Sequence, residues 1–164
     1  MEGGTMHIEY MKLMDQLYTS MGYKAYQWVK NDDTPPWQSL RKPLSQSRIA
    51  LLASGGIYVT GQTAFHFKDD TSYRAIPKNI RTEDLRATHF AYDLTAARSD
   101  PNSVFPLDTL RGLVTEGFIG ELCEHAYTFM GGIYSSRRVT EELAPSLTER
   151  LANDRADIAL LVPC

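Results

Sequence analysis

Ile158-Ala159-Leu160-Leu161-Val162-Pro163-Cys164 is a run of five apolar residues without alternation, closed by a proline and a thiol. An unbroken apolar run of that length reads as a β-strand buried on both faces, the mark of a parallel sheet covered by helices. In open sheets of this kind ligands gather outside the carboxyl ends of the strands. The sulfur of Cys164 would then stand on the ligand side. A helix starting after it would favour the thiolate through its positive N-terminal end. A core strand is an unusual last element, so the domain reads as incomplete at its C-terminus, with its edge and one sheet face open. The terminal carboxylate on Cys164 is expected to disfavour the thiolate as a like charge.

Working back along the chain, Arg48-Ile49-Ala50-Leu51-Leu52-Ala53 is a second apolar run, closed by Ser54-Gly55-Gly56. It too predicts a strand buried on both faces. Leu122 to Phe129 is a third run, ending in Met130-Gly131-Gly132, and Ala87 to Tyr92 is read as a further strand. Two helices alternate with them. One opens at Pro106-Leu107-Asp108, with Asp108 as cap and Gly117 as its end. The other spans Thr140 to Asn153, where Pro145 is expected to bend or restart it. Thr82 is expected to cap a brief turn, and Val59 to Ile80 reads as a long covering loop. Helices alternating with strands imply right-handed crossovers, and the fold class is α/β, an open, mostly parallel sheet with helices on both faces.

At the other end, Met6 to Val29 repeats apolar residues at three- and four-residue steps (Ile8, Met11, Met14, Leu17, Tyr18, Met21) and predicts an amphipathic helix, with a further turn or two through Tyr26. Asn31-Asp32-Asp33-Thr34-Pro35-Pro36 breaks it. The organisation is therefore an N-terminal helical segment and linker over residues 1–34, added to an α/β domain over 35–164.

The formal net charge is -3, with acids and bases interspersed. No basic field exists to hold a phosphate backbone, so nucleic-acid partners are not expected. No apolar run approaches the roughly 20 residues of a membrane helix. Glu9, Lys12 and Asp15 interrupt the first apolar segment, which is no secretory leader, and a cytoplasmic location is expected. Four histidines and two cysteines are too scattered to make a metal site by spacing. Cys123 lies in an apolar stretch and reads as core packing.

The polar candidates lie at the strand ends. His89 and Asp93, with Tyr92 between, would lie at the carboxyl end of the proposed strand Ala87–Tyr92. His89 could move a proton and Asp93 could orient its ring. The plainer alternative is a hydrogen-bonded structural histidine and a strand-end cap. Gly55, Gly56, Gly131 and Gly132 would let backbone amides approach an anion, or would simply make tight turns. Arg74 could clamp a substrate carboxylate through paired hydrogen bonds, or lie idle on the surface. Glycine turns without G-x-G-x-x-G imply no dinucleotide.

Several longer stretches share an order and spacing: Pro36-Trp37-Gln38-Ser39-Leu40-Arg41-Lys42-Pro43-Leu44, Asp70-Thr71-Ser72-Tyr73-Arg74-Ala75-Ile76-Pro77, Thr88-His89-Phe90-Ala91-Tyr92-Asp93, Asp100-Pro101-Asn102-Ser103-Val104-Phe105-Pro106-Leu107, Gly117-Phe118-Ile119-Gly120, Phe129-Met130-Gly131 and the closing Ile158–Cys164. Together, over residues 36–164, these resemble the component B selenoprotein family of glycine, sarcosine, betaine and D-proline reductases. The resemblance implies reductive chemistry at a cysteine or selenocysteine just past the last strand. In that family a selenolate attacks the α-carbon of the substrate and expels the amine, a pyruvoyl subunit activates the amine, and a thioredoxin-linked partner resets the selenium. It implies a small amine or amino-acid-derived substrate, thioredoxin-like or reductase subunits as partners, and Cys164, His89 and Asp93 as catalytic candidates. Gly55, Gly56, Tyr92, Arg74, Gly131 and Gly132 would bind substrate. Family members continue well past the redox residue; a selenocysteine codon directly after Cys164, a frameshift or a deliberate fragment would each account for the difference, and no cofactor bound to this chain itself is expected. A homo-oligomer is expected from the open sheet edge. The alternatives are a binding or assembly protein that retains the scaffold without the chemistry, and a thiol-based redox or metal sensor.

Overall fold

The structure is a computed structural model and describes residues 8–25, 27 and 29–164. The expected helical positions Met6 and Tyr26 lie outside these. The chain divides into an N-terminal unit ending at Pro36 and a second unit, Trp37–Cys164. In the first, helix α1 spans Tyr10–Ser20 and buries none of its residues. It stops well before Val29 because Gly22 comes next but one with φ 87°, the left-handed conformation that ends helices and that glycine adopts without steric cost.

The second unit is built on strand β1, Arg48–Ala53. Ile49, Leu51 and Ala53 point into one core, and Ala50 and Leu52 into the other. Both faces of β1 are thus buried, as its unbroken apolar run predicts. Next come β2 (Ile57–Val59), β3 (Tyr73–Pro77) and, after a 3-10 turn at Thr82–Asp84, β4 (Leu85–Ala87). α2 spans Leu94–Ser99 and α3 Leu107–Thr115. β5 is Glu121–Leu122 and β6 His125–Phe129. One continuous helical run then comprises α4 (Ser136–Arg138), a π turn (Val139–Leu143) and α5 (Ala144–Asn153), before β7 (Ile158–Val162). The π turn lies just before Pro145. That residue has no N–H to donate to the preceding turn, and the widened turn accommodates its ring.

The main sheet runs β3-β6-β1, with β7 on the other side of β1 and β5 beside the start of β1. β5, β6 and β7 are all parallel to β1, and β3 is antiparallel to β6. The run Leu122–Phe129 is therefore not one strand. Its register against β1 gains two residues between Ile49↔Leu122 and Leu52↔Tyr127, a bulge at Cys123-Glu124. Ala97, Leu107 and Leu110 cover one sheet face, and Leu143 and Leu147 cover the other. The fold is α/β with helices on both faces.

Four expectations need correction. Residues 59–80 are not all loop, because Tyr73–Pro77 is an edge strand. It carries only Ile76 fully buried and ends on a proline, which an edge tolerates. The strand expected over Ala87–Tyr92 is shorter, Leu85–Ala87, and lies outside the main sheet. It pairs antiparallel with β2 in a separate ribbon. Asp108 and Thr82 cap nothing. Asp108 sits in the first turn of α3, and its carboxylate accepts from Thr82, Asn102 and Arg111. Lastly, β7 is not buried on both faces. It pairs with β1 alone, and Leu160 and Leu161 stand 38% and 67% exposed. Its apolar run reflects an edge whose outer side is uncovered among the described residues.

Candidate functional site

Parallel strands in register end together. Ala53 of β1 lies opposite Thr128 of β6 and Val162 of β7, so the three carboxyl ends form one rim. Small residues dominate the segments just beyond these ends: Ser54-Gly55-Gly56, Met130-Gly131-Gly132 and Pro163-Cys164. The rim closes through Ser54. Its N–H donates to Val162 O at 3.1 Å, and its carbonyl accepts from Gly131 N at 3.0 Å. Its Oγ accepts from Cys164 N at 2.9 Å.

Cys164 Sγ lies directly over Gly55. A Cβ on Gly55 would fall 3.2 Å from that sulfur and 3.1 Å from Val104 Cβ and Cγ2, closer than side chains ordinarily pack. Burial pushes the Cys164 thiol up, and hydrogen bonding from the Ser54 hydroxyl works against it. Tyr92 donates its hydroxyl to Gly55 O at 2.7 Å. Burial, with the Cys164 charge second, pushes the Tyr92 phenol up to about 12. Tyr92 is therefore a neutral donor at any physiological pH.

His89 reaches the rim from the ribbon. Gly56, at φ 65°, turns the chain so that its carbonyl accepts from Thr88 N at 3.0 Å, which sets His89 beside it. The His89 ring lies 4.6 Å from that of Tyr92. Only 8% of the residue is exposed. Its Nδ1 accepts from Ala91 N at 3.0 Å, so the proton of the neutral ring sits on Nε2. That Nε2 is buried and has no hydrogen-bond partner among the described residues. Hydrogen bonding toward the Ser54 backbone favours the charged ring. Desolvation outweighs it and holds the imidazole below its ordinary range.

The structure thus brings Cys164, Gly55, Tyr92, Gly131 and His89 to one rim. Other candidates are engaged elsewhere. Asp93 does not orient His89; its carboxylate accepts from Thr95 N and Oγ1 and caps α2. Arg74 is no free clamp: its guanidinium donates to Thr63 O, Ala64 O, Ser72 Oγ and Tyr73 O and lies 4.3 Å over the Phe65 ring. The amides of Gly56 and Gly131 donate to Phe129 O and Ser54 O and are closed to an anion. Gly132 leaves room for the Phe90 ring. Cys123 is buried against the far sheet face, where desolvation pushes its thiol up to about 11. Sequence reasoning missed Ser54 and Val104. The signal for Ser54 was a hydroxyl at the boundary of a buried strand and a glycine pair. Val104 had no signal. Among the described residues no group of three or more His, Cys, Asp and Glu could hold a metal ion, and no helix is long and apolar enough to cross a membrane.

D-proline reductase subunit gamma of Acetoanaerobium sticklandii is 30% identical over 148 residues, 90% of this chain and 61% of that protein. Glycine reductase complex component B subunit gamma of Symbiobacterium thermophilum is 31% identical over 83% of this chain and 32% of its own length. Sarcosine reductase complex component B subunit beta of Peptoclostridium acidaminophilum is 27% identical over 79% of this chain and 30% of its own. The chain thus spans less than two thirds of each of these relatives. No solved structure matches it. The family model for glycine/sarcosine/betaine reductase selenoprotein B matches residues 8–163, nearly the whole sequence, and the chain belongs to that family.

Proposed function

We propose that this chain is a subunit of a cytoplasmic, multi-part reductase that cleaves the C–N bond of a small amine or amino-acid-derived substrate at the Cys164 rim. The observation that carries the reading is the placement of the sulfur, over Gly55 and near the half-buried Tyr92 that packs on the buried His89, at the shared ends of three parallel strands. In the first step the Cys164 thiolate attacks the carbon bearing nitrogen. A C–S bond forms as the C–N bond breaks, and the amine leaves with a proton. A second thiol then attacks the sulfur, releasing the carbon fragment with a proton and leaving a mixed disulfide. A thioredoxin-like dithiol supplies the two electrons that reset it. A selenol encoded next to Cys164 would enter the same rim and take the same step. His89, with its proton fixed on Nε2, serves as a neutral hydrogen-bond donor rather than as a base.

The test is turnover by the full chain assembled with the subunits encoded beside it, supplied with a dithiol and with glycine, sarcosine, betaine or D-proline. C–N cleavage that disappears in Cys164→Ser, read as amine release or, for the ring of D-proline, as the appearance of a chain-attached primary amine, supports the reading. Equal cleavage by wild type and variant overturns it for the sulfur.

A second reading, an assembly protein without chemistry, is favoured by one observation: β7 leaves Leu160 and Leu161 exposed on an unpaired edge. Self-association through β7 would make a homo-oligomer. Light scattering of wild type against Leu161→Lys checks it.

A further inference from the structure

Backbone and side-chain bonds at the rim converge on one residue that neither the family match nor sequence reasoning singles out. Ser54 uses its N–H for Val162 of β7, its carbonyl for Gly131 after β6, and its Oγ for the amide of Cys164. The Ser54 backbone also contributes to the setting of the His89 ring, whose buried Nε2 has no hydrogen-bond partner among the described residues. As Oγ already accepts from the Cys164 amide, its own hydrogen remains to be donated; the thiol itself points to Val104 O at 4.0 Å, and the Ser54 hydroxyl can turn its hydrogen to the sulfur once that proton leaves. Gly131 gives the hydroxyl its place, since a Cβ there would fall 3.1 Å from Ser54 Cβ, O and Oγ.

We propose that Ser54 is the positioning residue of the thiol site, fixing the backbone of Cys164 and presenting its hydroxyl hydrogen to the sulfur. The inference rests on the reading of Cys164 as the reacting thiol, and it assigns the group that readies that thiol. The sulfur lies over the small Gly55 against Val104, a setting that disfavours a thiolate. A helix dipole or a cation is the usual remedy. Here a single hydroxyl, held by the backbone it helps to fix, opposes the burial. Its acceptor lone pair and its donor hydrogen serve the same residue, so losing the hydroxyl removes placement and stabilisation together.

The experiment is alkylation of the full chain by iodoacetamide across pH 6.5–10, read at the Cys164 peptide by mass spectrometry, with circular dichroism to confirm folding. In Ser54→Ala the midpoint should move up by about half a pH unit or more, about a threefold loss of rate near neutrality. Ser54→Thr, which keeps the hydroxyl, should restore it. A folded Ser54→Ala whose profile superimposes on wild type overturns the proposal, as does a Thr variant displaced as far as Ala. If Ser54→Ala does not fold, Gly131→Ala decides. It keeps the hydroxyl but crowds it, so an upward shift supports the proposal and an unchanged profile overturns it. Failure here is separable from failure of the reductase reading. Turnover that depends on Cys164 with no shift in Ser54→Ala sinks only the role of Ser54. A shift without Cys164-dependent turnover sinks only the reductase reading.

Discussion

Gly56→Ala is the substitution that separates two contributions of a glycine, because Gly61 supplies the control. Both have positive φ, 65° and 95°. An alanine in the left-handed region costs on the order of 1 kcal/mol at either position. The surroundings differ. A Cβ on Gly61 meets nothing within 4 Å, whereas one on Gly56 drives into the Thr88 carbonyl oxygen and comes 3.7 Å from His89 Cδ2. Relief requires the ribbon to move, which strains the Thr88 N to Gly56 O bond and the Gly56 N to Phe129 O bond, 3.0 and 3.1 Å. Overpacking of this kind costs about 1–3 kcal/mol more. Gly61→Ala should then lower Tm by about 3–5 °C and Gly56→Ala by roughly twice that or more, for a unit of this size. Differential scanning calorimetry measures both. Because His89 comes directly after Thr88, Gly56→Ala should also shift the NMR signals of the His89 ring, and Gly61→Ala should not. Equal losses of Tm in the two variants would refute the reasoning, since the Thr88 contact would then contribute nothing.

Burial holds the neutral form of His89, so its folded pKa lies below the ordinary value near 6.5. Below that value the unfolded state binds more protons, and stability is lost as pH falls through about 6.5 toward the folded pKa. His89→Gln should flatten the dependence of Tm on pH between 5 and 7, and an unchanged slope would contradict the placement. Tyr92→Phe leaves the Gly55 carbonyl without its 2.7 Å donor and should cost about 1 kcal/mol in urea unfolding, with no loss counting against that bond. Leu51→Ala, in the core and 2% exposed, should cost about 2–5 kcal/mol, while Leu161→Ala on the β7 edge should stay within about 1 kcal/mol. Comparable losses at these two positions would mean that the outer side of β7 is covered.

The same apolar pattern was legible in one strand and misleading in another. Arg48–Ala53 and Ile158–Val162 look alike as sequence, yet β1 is buried on both faces and β7 is exposed at Leu160 and Leu161. Composition reports what a strand could bury, not which neighbours reach it, and only pairing assigns the edge. Tyr73–Pro77 was missed for the opposite reason. As an edge strand it needs just one fully buried residue, Ile76, and its Arg and Pro read as loop. His89 and Asp93 looked like a pair because they are four residues apart around Tyr92. Asp93 is instead taken by Thr95 to start α2, a competition between local capping and long-range contact that capping wins. The convergence at the rim was legible because parallel strands in register must end together, whatever the loops do.

That convergence has a consequence for how the site tolerates change. The frame beneath its sulfur is mainly main chain: Val162 and Gly131 meet the backbone of Ser54, and the carbonyl of Gly55 accepts from Tyr92, while the Ser54 hydroxyl holds the amide of Cys164. Main-chain bonds survive most substitutions, so the geometry should be robust to side-chain exchange except where a Cβ cannot enter or a hydroxyl is used. Gly55, Gly56, Gly131 and Gly132 are the first kind, each with a neighbour inside ordinary packing distance of an added Cβ. Ser54 and Tyr92 are the second. Gly22, Gly61, Gly112 and Gly117 have open space at the same position. A scan replacing every described glycine with alanine should therefore split by Cys164 alkylation rate rather than by stability alone: rim variants change the rate, while Gly22→Ala and Gly112→Ala leave it at the wild-type value. A Gly112→Ala chain that remained folded but alkylated differently would show that the sulfur is governed from beyond the rim.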